Sequence, residues 1–162
     1  MKQTFYAIGM LMIFVFNQAT AQTSKTSFIT RSSIMKSPYL KDVTAAAENF
    51  KKEFKDARNI EWVNIPNGYR AYFQDNDILT AVDYNKKGKL NSVIRYGKSL
   101  MTSDMRTLIE NTFDAPVIRE ISEVKIAGYG DKVYIVILED KKSMKTVQIL
   151  NDEIKVISEV AK

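Results

Sequence analysis

The chain has 162 residues, with 24 Lys and Arg against 19 Asp and Glu, no histidine, no cysteine and a formal net charge of +5. Without histidine or cysteine, the Ser-His-Asp, Cys-His and common zinc-ligand sets are excluded, and most nucleophile-and-base hydrolysis goes with them. The small positive excess is scattered among acids, as in Lys51-Lys52-Glu53 and Glu139-Asp140-Lys141-Lys142, so the chain lacks the continuous basic stripe that nucleic acid requires.

At the N-terminus, Lys2, the apolar run Phe5–Phe16 and the small residues Ala19-Thr20-Ala21 have the layout of a signal peptide over 1–21, with cleavage before Gln22. The apolar run falls short of the about 20 residues needed to span a bilayer. With no cysteine to carry a lipid, no stable membrane insertion is expected after cleavage. The protein should be exported and soluble, in the periplasm or outside the cell, and stabilised by burial rather than disulfides. Residues 22–37, rich in Ser, Thr and Lys, read as a flexible leader. A docking arm is the competing reading. Pro38 opens the domain that continues to residue 162.

Val43, Ala46, Ala47, Phe50 and Phe54 form one helical stripe, with Asp42 or Thr44 available as its cap. Ile60–Ile65 begins a sheet. In the next run Tyr69, Ala71 and Phe73 alternate with Arg70, Tyr72 and Gln74, the period of two of a strand with one face turned to a core. Asn67-Gly68 and Lys86-Lys87-Gly88 are the expected turns, and Leu90–Tyr96 is a fourth strand. A second helical stripe follows, Met105, Leu108, Ile109, Thr112 and Phe113, capped by Thr102 or Ser103. Four more strand-like runs come next: Val117–Ile126, Lys132–Glu139, Met144–Leu150 and Glu153–Val160.

The order helix, four strands, helix, four strands points to an internal duplication, with repeats at about 38–97 and 98–162. The expected fold is α+β: a tandem repeat of one helix plus a four-stranded antiparallel meander. Both helices would lie on one face of a combined antiparallel sheet of up to eight strands, leaving the other face open to solvent or a partner.

Phe54-x-Asp56-Ala57 leading to Trp62, then Tyr69-x-Ala71-x-Phe73, then Asp83-Tyr84-Asn85-x-x-Gly88-Lys89-Leu90, resembles the PepSY-like domains of exported bacterial proteins, also called β-lactamase-inhibitor-protein-like (BLIP-like). The resemblance covers roughly Ser37 to the C-terminus. It departs where Leu100-Met101 replaces a proline before the second helix and where the last hairpin carries Asn151-Asp152 without glycine. It implies an exported binding module without established catalytic residues.

Other motifs are better read as turns. Asp83-x-Asn85-x-x-Gly88 opens like a calcium loop, but Lys87 stands at its fifth position and Ile94 at its twelfth, where a bidentate acid is required. Asp75 with Asp77, and Glu139 with Asp140, are carboxylate pairs in turn-like stretches, and Gly128-Tyr129-Gly130 precedes no helix. No enzyme activity, cofactor or metal is expected. The residues expected to carry binding are Arg70, Tyr72 and Gln74 on the uncovered face and Tyr84 at the opening of a turn, because Arg and Tyr make strong interface anchors. The leading expectation is a protein-binding module, inhibitor-like or regulatory, that meets another protein in the periplasm, the envelope or outside the cell. The alternative is a carrier of a small apolar or lipid-like ligand between helices and sheet, suggested by Met101, Met105 and the Phe-rich stripes.

Overall fold

The structure, a computed structural model, describes residues 43–162. The expected signal peptide 1–21, the leader 22–37, the domain start at Pro38 and the Asp42 cap lie outside the described residues. Helix α1 (Thr44–Glu53) precedes strands β1 (Glu61–Ile65), β2 (Gly68–Asp75), β3 (Ile78–Asn85) and β4 (Leu90–Tyr96). A single 3₁₀ turn (Lys98–Leu100) leads to α2 (Ser103–Thr112) and then β5 (Val117–Ile126), β6 (Lys132–Glu139), β7 (Ser143–Leu150) and β8 (Glu153–Ala161). The strands form one eight-stranded sheet in sequence order. Every neighbouring pair is antiparallel.

The two helices start differently. Thr102 caps α2, its hydroxyl accepting from the Met105 backbone N–H at 3.2 Å, the arrangement expected of a Thr cap. At α1, Val43 occupies the N-cap position without a side-chain cap bond, and Thr44, one of the two expected caps, is the first helical residue.

Each helix has its own core. Phe50 of α1 stacks on Phe54 (ring centroids 5.0 Å) and meets Trp62 at 5.6 Å and Phe73 at 5.5 Å edge-on, over Tyr69, Ala71, Val82 and Tyr84. Met105 and Ile109 of α2, with Leu100, cover Ile121, Val136, Val147 and Ile149. Burying one such large apolar side chain stabilises by roughly 1.5–3 kcal/mol. The strand register shows that both helices lie on the same face. Phe73, Thr80, Arg95, Glu123 and Tyr134 are successive cross-strand partners on that face, and Tyr72, Ala81, Ile94, Val124 and Val133 are successive partners on the other.

That second face departs from the expectation of an open, solvated surface. Its margins are accessible, but Ile94 (1 %), Val124 (5 %), Val133 (2 %) and Ile135 (1 %) are shielded at its centre. A sequence signal accounts for the difference: Val133–Leu138 is apolar at every position, whereas a strand solvated on one face alternates with polar residues.

Two turns also differ in detail. The β1–β2 connection is Pro66-Asn67, and Gly68 is the first residue of β2, paired with Ile65. Gly68 is required by space, since a Cβ there would lie 1.9 Å from the Tyr84 carbonyl oxygen. At the β7–β8 turn, Asn151 (φ 49°) and Asp152 (φ 60°) supply the two positive-φ residues of a tight hairpin. Asn and Asp tolerate that geometry, so no glycine is needed.

Candidate protein-contact face

The second face of β2–β4 gathers a polar and aromatic cluster. Arg70 and Asp83 are directly opposite one another in the β2–β3 register. The guanidinium donates from Nε to Oδ1 at 2.5 Å and from Nη2 to Oδ2 at 2.8 Å. Ser92 Oγ on β4 donates to the same Oδ2 at 3.3 Å. The hydrogen bonds that the guanidinium donates to Asp83 raise the Arg70 pKa above its ordinary value, burial opposing the shift. The third guanidinium nitrogen, Nη1, lies 3.3 Å from the Tyr72 hydroxyl, and the guanidinium carbon sits 5.8 Å from the Tyr72 ring centroid. Tyr72 is thus held by a side chain that is itself fixed at both ends.

Tyr96 extends the cluster. It stands on the same face of β4, half-buried, and burial pushes its hydroxyl up to about 12, with Arg70 opposing and Tyr72, Asp83 and Glu120 adding to the shift. Leu79, 42 % exposed, lies between Gln74 and Tyr96 in the register. The accessible patch is therefore Tyr72, Gln74, Leu79 and Tyr96, at the end of the sheet that carries the β2–β3 turn.

The structure brings three of the four expected residues together and separates the fourth. Tyr72 and Gln74 reach the accessible margin. Arg70 shares their face but is only 7 % exposed, so it positions Tyr72 from behind. Tyr84 is a correction: it is 0 % exposed, beside Trp62 at 6.0 Å in the α1 core. Alternation along β3 sends Asp83 to the second face and Tyr84 under the helix, and Asn85 opens the turn instead. Among the described residues the Tyr84 hydroxyl has no hydrogen-bond partner, and burial raises its pKa above the ordinary value. Tyr96 and Leu79 were missed, although each sits at the alternate positions that continue the Tyr72 face across the hairpins.

On the helix-bearing face, Glu123 is 6 % exposed and accepts from Lys132 Nζ at 3.1 Å, the Tyr134 hydroxyl at 3.1 Å and Arg95 Nη1 at 3.4 Å. Burial works against its ionisation, but these donors outweigh it and hold the carboxyl below its ordinary 4.5. The Glu139 and Asp140 pair is likewise occupied. Arg119 and Lys162 hold Glu139 down to about 2. Lys145 and the backbone N–H groups of Lys142 and Ser143 hold Asp140 below the usual range. Two carboxylates so neutralised suit a structural turn rather than proton transfer. Among the described residues, no group of three His, Cys, Asp or Glu is placed to hold a metal, and no helix is long and apolar enough to cross a membrane.

A groove of about 670 Å³ opens beside the C-terminal end of α1, lined by Phe54, Phe73 and Val93 together with Glu53, Arg58 and Arg95. Charged groups in the lining disfavour an apolar or lipid-like ligand, which would have to desolvate them.

Comparison with known proteins adds the fold. No protein-family model matches the chain, and no curated protein matches it. Solved structures do. A BLIP-like protein from Bacteroides fragilis is similar with a TM-score of 0.61 at 16% identity, covering 76% of this chain and 89% of that one. A DUF2874 family protein from Bacteroides ovatus matches with a TM-score of 0.59 at 14% identity over 70% of this chain and 86% of that one. A predicted periplasmic protein from Bacteroides eggerthii matches with a TM-score of 0.61 at 12% identity over 73% of this chain and 87% of that one. At these identities the likeness establishes a shared α+β fold with a single antiparallel sheet.

Proposed function

We propose that this chain is an exported, non-enzymatic protein-binding module that meets its partner through the turn-proximal end of the second sheet face. The observation that carries the reading is the Tyr72, Leu79 and Tyr96 patch with Arg70 locked behind it. Large, amphipathic side chains held in one geometry lose little entropy on binding, and Tyr is enriched among interface hot spots. The arrangement has no nucleophile beside a base, so it suits recognition better than reaction. A signal peptide over 1–21 supports export, as do fold relatives that include a predicted periplasmic protein. The BLIP-like relative adds weight to a binding role. The two separate cores, one under each helix, support a PepSY-like tandem repeat.

The experiment is capture from the envelope fraction of the producing cell with wild-type protein and with Tyr72→Ala. A partner retained by the wild type and lost by the variant supports the reading. Equal retention by both removes Tyr72 from the interface, and no partner with either counts against the function.

A further inference from the structure

The rim of the Tyr72, Leu79 and Tyr96 patch differs in charge from the rest of a basic chain. Glu61 is directly across from Tyr72 in the β1–β2 register, on the second face. Asp77 stands in the β2–β3 turn, between Gln74 and Leu79, whereas Asp75 follows Phe73 onto the helix-bearing face and lines the groove beside α1. Glu120 of β5 lies on the same face and acts electrostatically on the Tyr96 hydroxyl. Glu61, Asp77 and Glu120 are all exposed, and none forms an ion pair among the described residues. The carboxylates of Asp83, Glu123, Glu139 and Asp140, by contrast, are matched to cations of this chain. The one arginine inside the patch, Arg70, is neutralised by Asp83. The patch therefore presents an apolar and aromatic centre inside an uncompensated negative rim.

We propose that this patch receives a cationic segment of its partner, with Arg or Lys side chains set against Glu61, Asp77 and Glu120 and an apolar residue over Leu79 between the two tyrosines. The proposal rests on the reading of the second face as a protein-binding surface and adds the chemistry of the segment. Rim charges of this kind steer encounter and select partners more than they add affinity, and they are screened by salt.

The probes are two synthetic 12-residue peptides with identical apolar residues, one carrying four arginines and the other four glutamates, followed by fluorescence anisotropy. The arginine peptide should bind at least about tenfold tighter at low salt and lose most of that margin at about 0.3 M, where the Debye length falls to roughly 5–6 Å. Glu61→Gln with Glu120→Gln should weaken it about fivefold to tenfold. Glu48→Gln with Asp131→Asn, on α1 and the β5–β6 turn, should leave it unchanged. Melting curves of both double variants should overlay the wild type. Equal binding of the two peptides, or equal weakening by the two double variants, overturns the proposal. A photoreactive side chain at position 74, introduced in the producing cell, separates this from the broader reading. A cross-linked partner whose contacted segment is neutral or acidic overturns the cationic assignment and leaves protein binding standing. No cross-link together with no peptide binding overturns both.

Discussion

Arg70 and Asp83 are joined through both carboxylate oxygens across neighbouring strands, with side chains only 9% and 8% exposed. Removing one member of a buried pair strands the other charge, a cost of about 3–5 kcal/mol, whereas replacing both with apolar residues of similar volume costs far less. Asp83→Ala should therefore lower the urea midpoint sharply, and Arg70→Met combined with Asp83→Leu should recover most of the loss. If the double replacement is as unstable as Asp83→Ala, the pair is not the source of the effect.

Phe73 and Tyr72, adjacent in sequence, should respond oppositely. Phe73→Ala opens a cavity beneath α1, where the ring meets Phe50 at 5.5 Å and Phe54 at 5.4 Å, and should cost about 3–5 kcal/mol of stability. Tyr72→Ala should change stability little. Partner binding should weaken roughly thirtyfold, the equivalent of about 2 kcal/mol at a hot spot. Denaturant melts and one binding isotherm decide both.

The buried hydroxyl of Tyr84, unpartnered among the described residues, is a cost carried by the native state. An unsatisfied buried polar group is worth about 1–3 kcal/mol, so Tyr84→Phe should stabilise by about 1 kcal/mol while keeping the ring against Trp62. A fall in melting temperature would mean that the hydroxyl is satisfied after all.

Gly88 couples the β3–β4 turn to α1. Its φ is +76°, a Cβ would fall 2.7 Å from the Ala45 carbonyl carbon, and its carbonyl accepts from Asn49 Nδ2 at 2.9 Å. Gly88→Ala adds left-handed strain to a backbone clash and should cost about 2 kcal/mol or more. Asn49→Ala should cost about 1 kcal/mol, through the hydrogen bond alone. Chemical denaturation of the two variants checks the ranking.

Glu123 gives the acid limb a specific origin. Its folded pKa lies below the ordinary 4.5, so the folded state favours the charged form. The stability it contributes is present above about pH 4.5 and is lost as pH falls through the lower folded value. Glu123→Gln should flatten the stability profile below about pH 4.5 and leave the slope at neutral pH unchanged. A profile as steep as the wild type would assign the acid sensitivity to other carboxylates.

Much of the topology was legible because local signals agreed. The alternation of Tyr69, Ala71 and Phe73 with Arg70, Tyr72 and Gln74 fixed which face of β2 meets the helix, and the stripes through Phe50 and Ile109 located the two cores. The turn chemistry was read less well. Asn67-Gly68 reads as a turn pair, but the size of Gly68 is set by the Tyr84 carbonyl of the neighbouring strand. Asn85, Lys86 and Gly88 make Tyr84 read as a turn residue, but alternation along β3 sends it inward under α1.

What the sequence determined by itself was element order, strand polarity and the facing of the β2 side chains, because these follow from periods of two and 3.6 and from residues that tolerate turn geometry. What only the tertiary structure decided was which residues from different strands meet. Arg70 with Asp83 and Ser92, Leu79 between Gln74 and Tyr96, and Glu123 among Arg95, Lys132 and Tyr134 depend on the register of neighbouring strands. A shift of one residue in the register of a strand would move that strand's side chains to the opposite face and break its part of these contacts.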